Sequence, residues 1–167
     1  TDRLRLRPHR VSDLAPLAQM WGDPETVRYI GGKTRTPDMV WAQIQRMTGS
    51  WVLLGYSYWV VELKETSAVL GEMGFLQGLR GVGDDFSGVP EAGWVLGKSA
   101  WGKGIASEGL RAIMTWADQC LPALKTVCMI ESAHGASDAV ARKLGYIPMR
   151  ETVYDGTPVF LYSREAL

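Results

Sequence analysis

The chain has 167 residues, of which 46% are hydrophobic and 22% are charged, and its formal net charge is zero. This composition is that of an ordinary globular domain, and the length suits one domain with one core. Proteins that bind nucleic acid usually carry a strongly basic patch, so a nucleic-acid partner is disfavoured. No apolar run approaches the roughly 18 residues that a membrane span needs, so no membrane partner is expected.

Two cysteines, Cys120 and Cys128, lie in apolar segments and lack the CxxC or histidine spacing of a zinc site. This pattern indicates buried free thiols in a reducing compartment and predicts no metal. The first ten residues, TDRLRLRPHR, alternate charged and apolar side chains and do not form the apolar core of a signal peptide. The default expectation is therefore a cytoplasmic protein.

The first third of the chain predicts one strand followed by three helices. RLRLRP, residues 3–8, alternates with period two and ends in a proline, which is typical of a strand with one wet face. Apolar residues recur at helical spacing over residues 14–21 and 37–53, so both segments are expected to be helical. Between them we expect a shorter helix over residues 24–30, which a proline starts and two glycines end.

The remaining segments predict strands first and then helices and strands in alternation. In chain order we expect strands over 56–63, 68–77 and 91–97, a helix over 105–119, a strand over 125–132, a helix over 135–145, and a hairpin that turns at Asp155-Gly156. Residues 78–90 hold four glycines and a proline, which predicts a mobile hairpin loop. This order predicts one α/β domain, residues 1–167, around a mixed sheet.

A glycine-rich stretch, SAWGKGIASEGL (residues 99–110), follows the third central strand and leads into a helix. A helix N-terminus offers unpaired N–H groups and the positive end of a dipole, and glycine lets the backbone approach a ligand closely. The segment fits either a simple turn or a backbone cradle for a phosphate. It lacks the GK[ST] end of a P-loop, and Ser107 replaces the third glycine of a dinucleotide-binding loop. By itself, GxG before a helix favours the turn.

Two longer stretches around this loop favour the cradle. EAGWVLGKSAWGKGIASEGLRAIMTWA is followed by SAHGASDAVARKLGYIPMRE. In this order they resemble the GNAT superfamily of N-acetyltransferases, in particular the branch of the ribosomal-protein N-terminal (alanine) acetyltransferases. The [QR]xxGxG/A loop that binds acetyl-CoA in that branch corresponds to Trp101–Ala106, and the NxxSxxVxxKxGF motif of its last helix corresponds to His134–Tyr146. The DPE segment of the branch is matched by Asp23-Pro24-Glu25, so the resemblance covers nearly the whole chain.

The resemblance implies a fold and a cosubstrate. It implies an α/β (α+β) fold with a central mixed, largely antiparallel sheet of about seven strands and four to five flanking helices. The fourth and fifth strands splay apart, and the pantetheine arm of acetyl-CoA fills the gap like a substitute strand. The residues implied to contact acetyl-CoA are Trp94, Val95, Leu96, Trp101, Gly102, Lys103, Gly104, Ile105, Ala106, His134, Ser137 and Lys143. The first three also fit an ordinary core strand, and Lys103 also fits a solvated surface lysine.

The implied reaction is the attack of an amine on a thioester. A primary amine is protonated at pH 7, so a base must remove a proton, and a partly buried carboxylate suits that task. Glu91 is the first choice, because it begins the strand that lines the cleft and family members often carry Glu there; an idle strand-edge glutamate is the competing interpretation. Glu72, inside an apolar strand, is the reserve candidate. A main-chain N–H of residues 94–96 would stabilise the oxyanion.

A second group is needed to help the CoA thiolate leave. Many family members use a tyrosine in the last helix, but that position here is Ala141. The resemblance points instead to Ser137, and a serine that hydrogen-bonds the helix backbone is the alternative. His134 stands where the family has Asn, and a neutral imidazole still offers one hydrogen bond. Glu108 is expected on the helix surface or in a structural hydrogen bond.

The acceptor side is less defined by the sequence. We expect residues 12–53 and 78–90 to form the walls of the acceptor pocket. The candidate linings are aromatic: Trp21, Tyr29, Trp41, Trp51 and Phe86. Asp84 and Asp85 fit a solvated turn or a site that attracts a cationic amine. The acceptor is either a protein N-terminus or a small amine, and the protein is a monomer or a homodimer. A non-catalytic acyl-CoA-binding or regulatory module is the alternative to an N-acetyltransferase.

Overall fold

The structure is a computed structural model that describes residues 1–121 and 125–166. Its strands are β1 (Leu4–Arg7), β2 (Tyr58–Leu63), β3 (Val69–Gln77), β4 (Pro90–Leu96), β5 (Lys125–Glu131), β6 (Ile147–Tyr154) and β7 (Thr157–Glu165). Its helices are α1 (Leu14–Trp21), α2 (Pro24–Val27), α3 (Pro37–Leu54), α4 (Ile105–Cys120) and α5 (Gly135–Lys143). The predicted order of strands and helices is confirmed. Among the described residues, no helix is long and apolar enough to cross a membrane.

The predicted helix over residues 24–30 is wrong in length, because α2 is a single turn that ends at Val27. The N–H groups of Ile30 and Gly32 both bond the Val27 carbonyl, at 2.8 and 3.0 Å, which closes a turn instead of continuing the helix. Gly31 and Gly32 follow with φ angles of 77° and 66°, which an α-helix cannot accommodate. The chain therefore reverses here and brings Tyr29 and Ile30 out of the helix.

The seven strands form one sheet in the order β1-β2-β3-β4-β5-β7-β6. Only β4 and β5 run parallel among the paired strands, and their ladder holds a single pair, Glu91 with Val127. On its other edge β4 pairs with β3 along its whole length, from Gln77↔Pro90 to Gly71↔Leu96. Beyond Glu91 the two central strands therefore diverge. The predicted mixed, largely antiparallel sheet with a splay between the fourth and fifth strands is confirmed.

Helices cover the sheet, and their apolar faces form the core. Leu110, Ile113 and Met114 of α4 are buried with Met73 and Phe75 of β3. A second buried group joins α1 and α3 to β4 and consists of Leu17, Met20, Trp21, Val27, Val40, Ile44 and Val95. This second group fixes α1 and α3 above the end of β4 where the strands diverge.

Two expectations about buried and mobile residues are wrong. Cys128 is buried, but Cys120 is exposed, because it is the last residue of α4 and the buried face of that helix ends at Ala117. The loop over 78–90 is anchored rather than mobile, because Phe86 is fully buried against Val127 and two residues of β7. Composition indicated flexibility there, and one apolar side chain overrides it.

Candidate active site

A cavity of about 730 Å³ lies along the part of β4 that has no pairing with β5. Its walls come from the end of β4, the loop and first turn of α4, the first turn of α5, and residues 25–30. This volume falls within the range of about 300–1,000 Å³ that is typical of ligand pockets. Except for Lys103, every residue predicted to contact the cosubstrate lines this cavity.

The glycine loop has the backbone geometry that the cradle requires. Gly102 and Gly104 have φ angles of 69° and 74°, in the left-handed region that favours glycine. A Cβ at Gly102 would meet no other atom within 4 Å, so the space beside this residue is open. The first helical hydrogen bond of α4 runs from the Glu108 N–H to the Gly104 carbonyl at 3.0 Å, which leaves the N–H groups of residues 105–107 free of helical partners. These N–H groups can donate hydrogen bonds to an anion.

Lys103 and Glu108 hold the outside of the loop. The Lys103 carbonyl accepts a hydrogen bond from Nη1 of Arg3 at 3.1 Å, and the residue does not line the cavity. Glu108 accepts hydrogen bonds from the Thr1 hydroxyl (2.6 Å) and from Nε of Arg3 (2.7 Å). Burial opposes ionisation of Glu108, but these donors together lower its pKa. The structural hydrogen bond expected for Glu108 is present.

The first turn of α5 closes the other side of this cavity. The hydroxyl of Ser137 has no hydrogen-bond partner among the described residues, so the backbone bond that was the alternative for this serine is absent there. The ring of His134 stacks on Tyr29 with centroids 4.6 Å apart. Burial lowers the pKa of His134, which keeps its imidazole neutral near pH 7. Both side chains are available to a ligand as neutral donors.

A second cavity, of about 680 Å³, borders the first. Residues from α3, β2, β3, β4 and the β6–β7 hairpin line it. The two cavities share Tyr29, Ile30 and Val95 as wall residues, so they meet at the end of β4. We call them the cosubstrate cavity and the acceptor cavity.

Glu72 is a fully buried carboxylate in the wall of the acceptor cavity. It lies beside Val95 in the β3–β4 register, which places it where the two cavities meet. Its Oε1 accepts from the Trp21 indole N–H at 3.0 Å and from the Gln43 side-chain amide, and its Oε2 lies 3.0 Å from Nε2 of His9. Two buried atoms around it, Oε1 of Gln43 and Nδ1 of His9, have no partner among the described residues.

Glu91 lies in the same wall, four residues before Val95 on β4. It is buried, and both of its oxygens accept hydrogen bonds from the Arg80 guanidinium, at 2.7 and 2.8 Å. Arg80 in turn lies over the ring of Tyr154, with Cζ 5.3 Å from the centroid. Glu91 is therefore not a solvated glutamate at a strand edge, because a specific cation holds it.

Tyr58 is a wall residue that the sequence did not single out. It lies on β2, and its hydroxyl occupies the space in which a side chain at Gly93 would begin. Burial raises the pKa of Tyr58, and the charges of Glu91 and Glu72 raise it further, so the phenol stays protonated. A glycine in the interior of a strand often marks such a close approach, and Gly93 is the signal that could have revealed this contact.

The aromatic residues predicted for the acceptor pocket divide into two sets. Trp21 and Tyr29 line the acceptor cavity. Trp41, Trp51 and Phe86 do not: Trp41 packs on the α1–α3 group, Trp51 contacts Trp59 edge to face, and Phe86 is in the core. Asp85 pairs with Arg150 at 3.0 Å and lies outside the cavity, so it does not attract an amine there.

Residues 3–147 match the family model described as an acetyltransferase (GNAT) domain. The chain therefore belongs to the GNAT acetyltransferase family, a family of acyl transfer to amines, and the predicted resemblance is confirmed. The chain is 32% identical over 117 residues to the uncharacterized N-acetyltransferase p20 of Bacillus licheniformis, a match that covers 70% of this chain and 63% of that relative.

Solved structures show the same fold. A Bordetella pertussis protein assigned to the GNAT acetyltransferases superposes with a TM-score of 0.87 at 25% identity, over 98% of this chain and 96% of that one. RimL, the ribosomal L7/L12 alpha-N-protein acetyltransferase, solved in complex with coenzyme A, superposes with a TM-score of 0.79 at 18% identity, over 99% and 95%. At that identity the second likeness shows the fold alone.

Proposed function

We propose that residues 1–167 form a single acetyltransferase domain that moves an acetyl group from acetyl-CoA to a primary amine by direct attack in a ternary complex. The observation that carries this proposal is the pair of cavities that meet at Val95. One has a glycine loop and a free helix N-terminus, which suit a pyrophosphate, and the other has two buried carboxylates, which suit an amine. The family assignment and the coenzyme A bound to the similar RimL structure support the choice of cosubstrate.

Acetyl-CoA supplies the activated thioester when it is bound. The N–H groups from Gly102 to Ala106 would hold its pyrophosphate, helped by the dipole of α4. The free edge of Trp94, Val95 and Leu96 would bond the pantetheine arm. The indole N–H of Trp101 donates to the Leu96 carbonyl at 2.7 Å, which fixes the far end of that edge. Lys143 of α5 would add a positive charge at the same mouth.

Glu91 would take the proton that the attacking ammonium must lose, directly or through a water. The nitrogen lone pair then forms the new C–N bond, and the C–S bond of the thioester breaks. Glu72 is the second candidate for this base, and it lies nearer to Val95 in the sheet. A main-chain N–H of residues 94–96 would stabilise the negative charge that develops on the thioester oxygen.

The CoA sulfur leaves as a thiolate and must gain a proton or a hydrogen bond. Ser137 would provide this donor, because its hydroxyl lines the cosubstrate cavity with no partner among the described residues. His134, kept neutral by burial, would donate one hydrogen bond to CoA in place of the family's Asn. Between the ammonium and the amide the nitrogen loses two protons, of which one reaches the CoA sulfur and the other leaves Glu91 for the solvent, so no other reactant is needed.

The test measures both binding and turnover. Calorimetry with acetyl-CoA and with CoA measures binding, and a thiol reagent measures the CoA released with a panel of amines and N-terminal peptides. We expect saturable binding and thiol release with at least one acceptor, and a loss of two orders of magnitude or more in kcat/KM for Glu91→Gln, in line with the usual contribution of a general base. If Glu72→Gln loses more kcat/KM than Glu91→Gln, then Glu72 is the base. Glu65→Gln, at an exposed position, is the matched control. Absence of acetyl-CoA binding would overturn the proposal.

A non-catalytic acyl-CoA-binding module remains the second candidate, because Arg80 engages both oxygens of Glu91 and Ala141 stands at the family's tyrosine position. This module would bind CoA tightly and release no thiol with any acceptor. We also propose a cytoplasmic protein that acts as a monomer or a homodimer, and light scattering coupled to size-exclusion chromatography measures that state.

A further inference from the structure

The acceptor cavity has an uneven distribution of charge. Its sheet strands carry the carboxylates of Glu72, Glu91 and Glu131, of which Glu72 and Glu91 are held by hydrogen-bond donors, and Asp155 of the β6–β7 turn adds a fourth. The loop before α3 carries Lys33 and Arg35, and α3 carries Arg46; none of these three cations has an ion pair with a carboxylate among the described residues. Unpaired cations repel an ammonium group, so they are unfavourable in a cavity that binds an amine alone.

Arg35 is the most constrained of these cations. Its guanidinium lies over the ring of Trp21, with Cζ 3.6 Å from the centroid, and its backbone N–H bonds the Trp21 carbonyl at 3.0 Å. Trp21 is itself fixed by the bond from its indole N–H to Glu72. Arg35 is half-buried, and its guanidinium makes no hydrogen bond among the described residues. The donors of Arg35 are thus pre-organised and unused.

Arg46 adds a second positive charge to the cavity that Arg35 lines. Burial lowers the pKa of Arg35, the charge of Glu72 raises it, and the charge of Arg46 lowers it again. Arg46 is on α3, one turn after Gln43, and both line the acceptor cavity. An anion in this cavity would reduce the repulsion between the two cations, and a guanidinium group binds carboxylate and phosphate oxygens through two parallel hydrogen bonds.

The side-chain amide of Gln43 has hydrogen-bond capacity that the described residues do not use. It is 5% exposed, and its amide nitrogen is committed to Glu72, so the unpaired Oε1 is a buried acceptor without a donor. A buried acceptor left unpaired is costly, and this oxygen is closed to solvent, so an ammonium group in the cavity would satisfy it once the Gln43 side chain shifts. Gln43 lies between Glu72 on one side and Arg46 one helical turn away.

We propose that the acceptor is a small zwitterion, an amine that carries a carboxylate or phosphonate within a few bonds, and that Arg35 and Arg46 bind its anionic group. This inference rests on the proposed function and names its substrate class. The ammonium end lies toward Gln43, Glu72 and Glu91, and the anionic end lies toward the two arginines. Polyamines are disfavoured because they would add cations to this wall, and protein N-termini because they lack the neighbouring anion.

The test compares matched acceptors that differ only in charge. Thiol release is measured with the common α-amino acids, their amides and the corresponding decarboxylated amines. We expect the best acid to exceed its amide at least about tenfold in kcat/KM, which corresponds to about 1.4 kcal/mol. The ratio of kcat/KM for the acid to that for the amide should fall to about one in Arg35→Gln and in Arg46→Gln, and should recover in part in Arg46→Lys. It should stay unchanged in Lys64→Gln, because Lys64 is an exposed cation outside both cavities.

A second measurement does not depend on turnover. Calorimetry with the same amino acids and amides, in the presence of CoA, reports binding to each variant, and thermal unfolding checks that the exposed Arg46→Gln remains folded. Binding of acids over amides that Arg35→Gln and Arg46→Gln abolish supports the inference even if no thiol is released, a result that would count against the enzyme alone. Turnover of amides, peptides or polyamines as good as that of acids overturns the inference and leaves the enzyme intact.

Discussion

Replacing Gly102 by alanine separates two effects of this glycine: the conformational energy of its left-handed backbone and its role in the binding of CoA. Gly102 has a φ of 69°, and a Cβ there would meet no other atom within 4 Å. The substitution therefore costs conformational energy without a clash inside the protein. A residue other than glycine in this left-handed conformation costs roughly 1–2 kcal/mol. For a chain of this size each kcal/mol corresponds to about 2–4 °C in Tm.

Gly55 provides a matched control. It ends α3 with a φ of 75°, and a Cβ there also meets nothing within 4 Å. Gly55 lines neither cavity. We expect Gly102→Ala and Gly55→Ala to lower Tm by similar amounts, about 2–8 °C. Of the two glycines only Gly102 lines the cosubstrate cavity, where the backbone would approach a pyrophosphate.

The assay combines thermal unfolding with calorimetric titration of CoA. We expect Gly102→Ala to weaken CoA binding at least about tenfold, or about 1.4 kcal/mol, and Gly55→Ala to leave the Kd unchanged. The reasoning fails if Gly102→Ala keeps the Kd of the wild type, or if Gly55→Ala weakens CoA equally. A Tm loss confined to one variant would contradict the shared origin of the strain.

Three further predictions follow from packing and burial. Gly93→Ala should lower the free energy of unfolding by about 1–3 kcal/mol, because the new methyl group displaces the Tyr58 hydroxyl. Tyr58→Phe in that background should restore part of this loss. Strictly additive effects of the two substitutions in urea unfolding would show that the residues do not touch. Burial holds the pKa of His134 below its ordinary value, so as the pH falls the imidazole is protonated in the unfolded chain before it is protonated in the folded one. The wild type should therefore lose more stability than His134→Asn between about pH 7.5 and about pH 5.5. Equal losses would show that the pKa of His134 is not lowered in the folded protein. A thiol reagent should modify Cys120 alone in the native protein and Cys128 only after unfolding, because burial also raises the pKa of the Cys128 thiol; two thiols reacting at once would contradict this.

The parts that sequence predicted well are those encoded locally. The glycines of the loop at 102–104, the periodicity of α4 and the Asp155-Gly156 turn each carry their own signal over a few residues, and the structure has all three. The match to ordered family motifs then supplied the splay between β4 and β5, which no local pattern encodes.

The acceptor cavity could not be predicted in the same way. The donors around Glu72 come from His9, Trp21 and Gln43, which lie 63, 51 and 29 positions away along the chain. Only the folded sheet and the packing of α1 and α3 bring them together. The prediction for the loop that holds Phe86 was wrong for a related reason. Composition indicates how freely the local backbone can move, and it does not indicate the contacts that one side chain makes with distant residues.

The narrow wall shared by the two cavities has a practical consequence for inhibitor chemistry. Tyr29, Ile30 and Val95 border both spaces, so one compound could occupy both if its linker passes these three side chains. Joining a pantetheine thioether to a zwitterionic amine would turn the second binding step into an intramolecular one and raise its effective concentration to the millimolar range or above. The best linker length would then measure the distance between the two ligands, and a larger side chain at Val95 would weaken the joined compound more than either half.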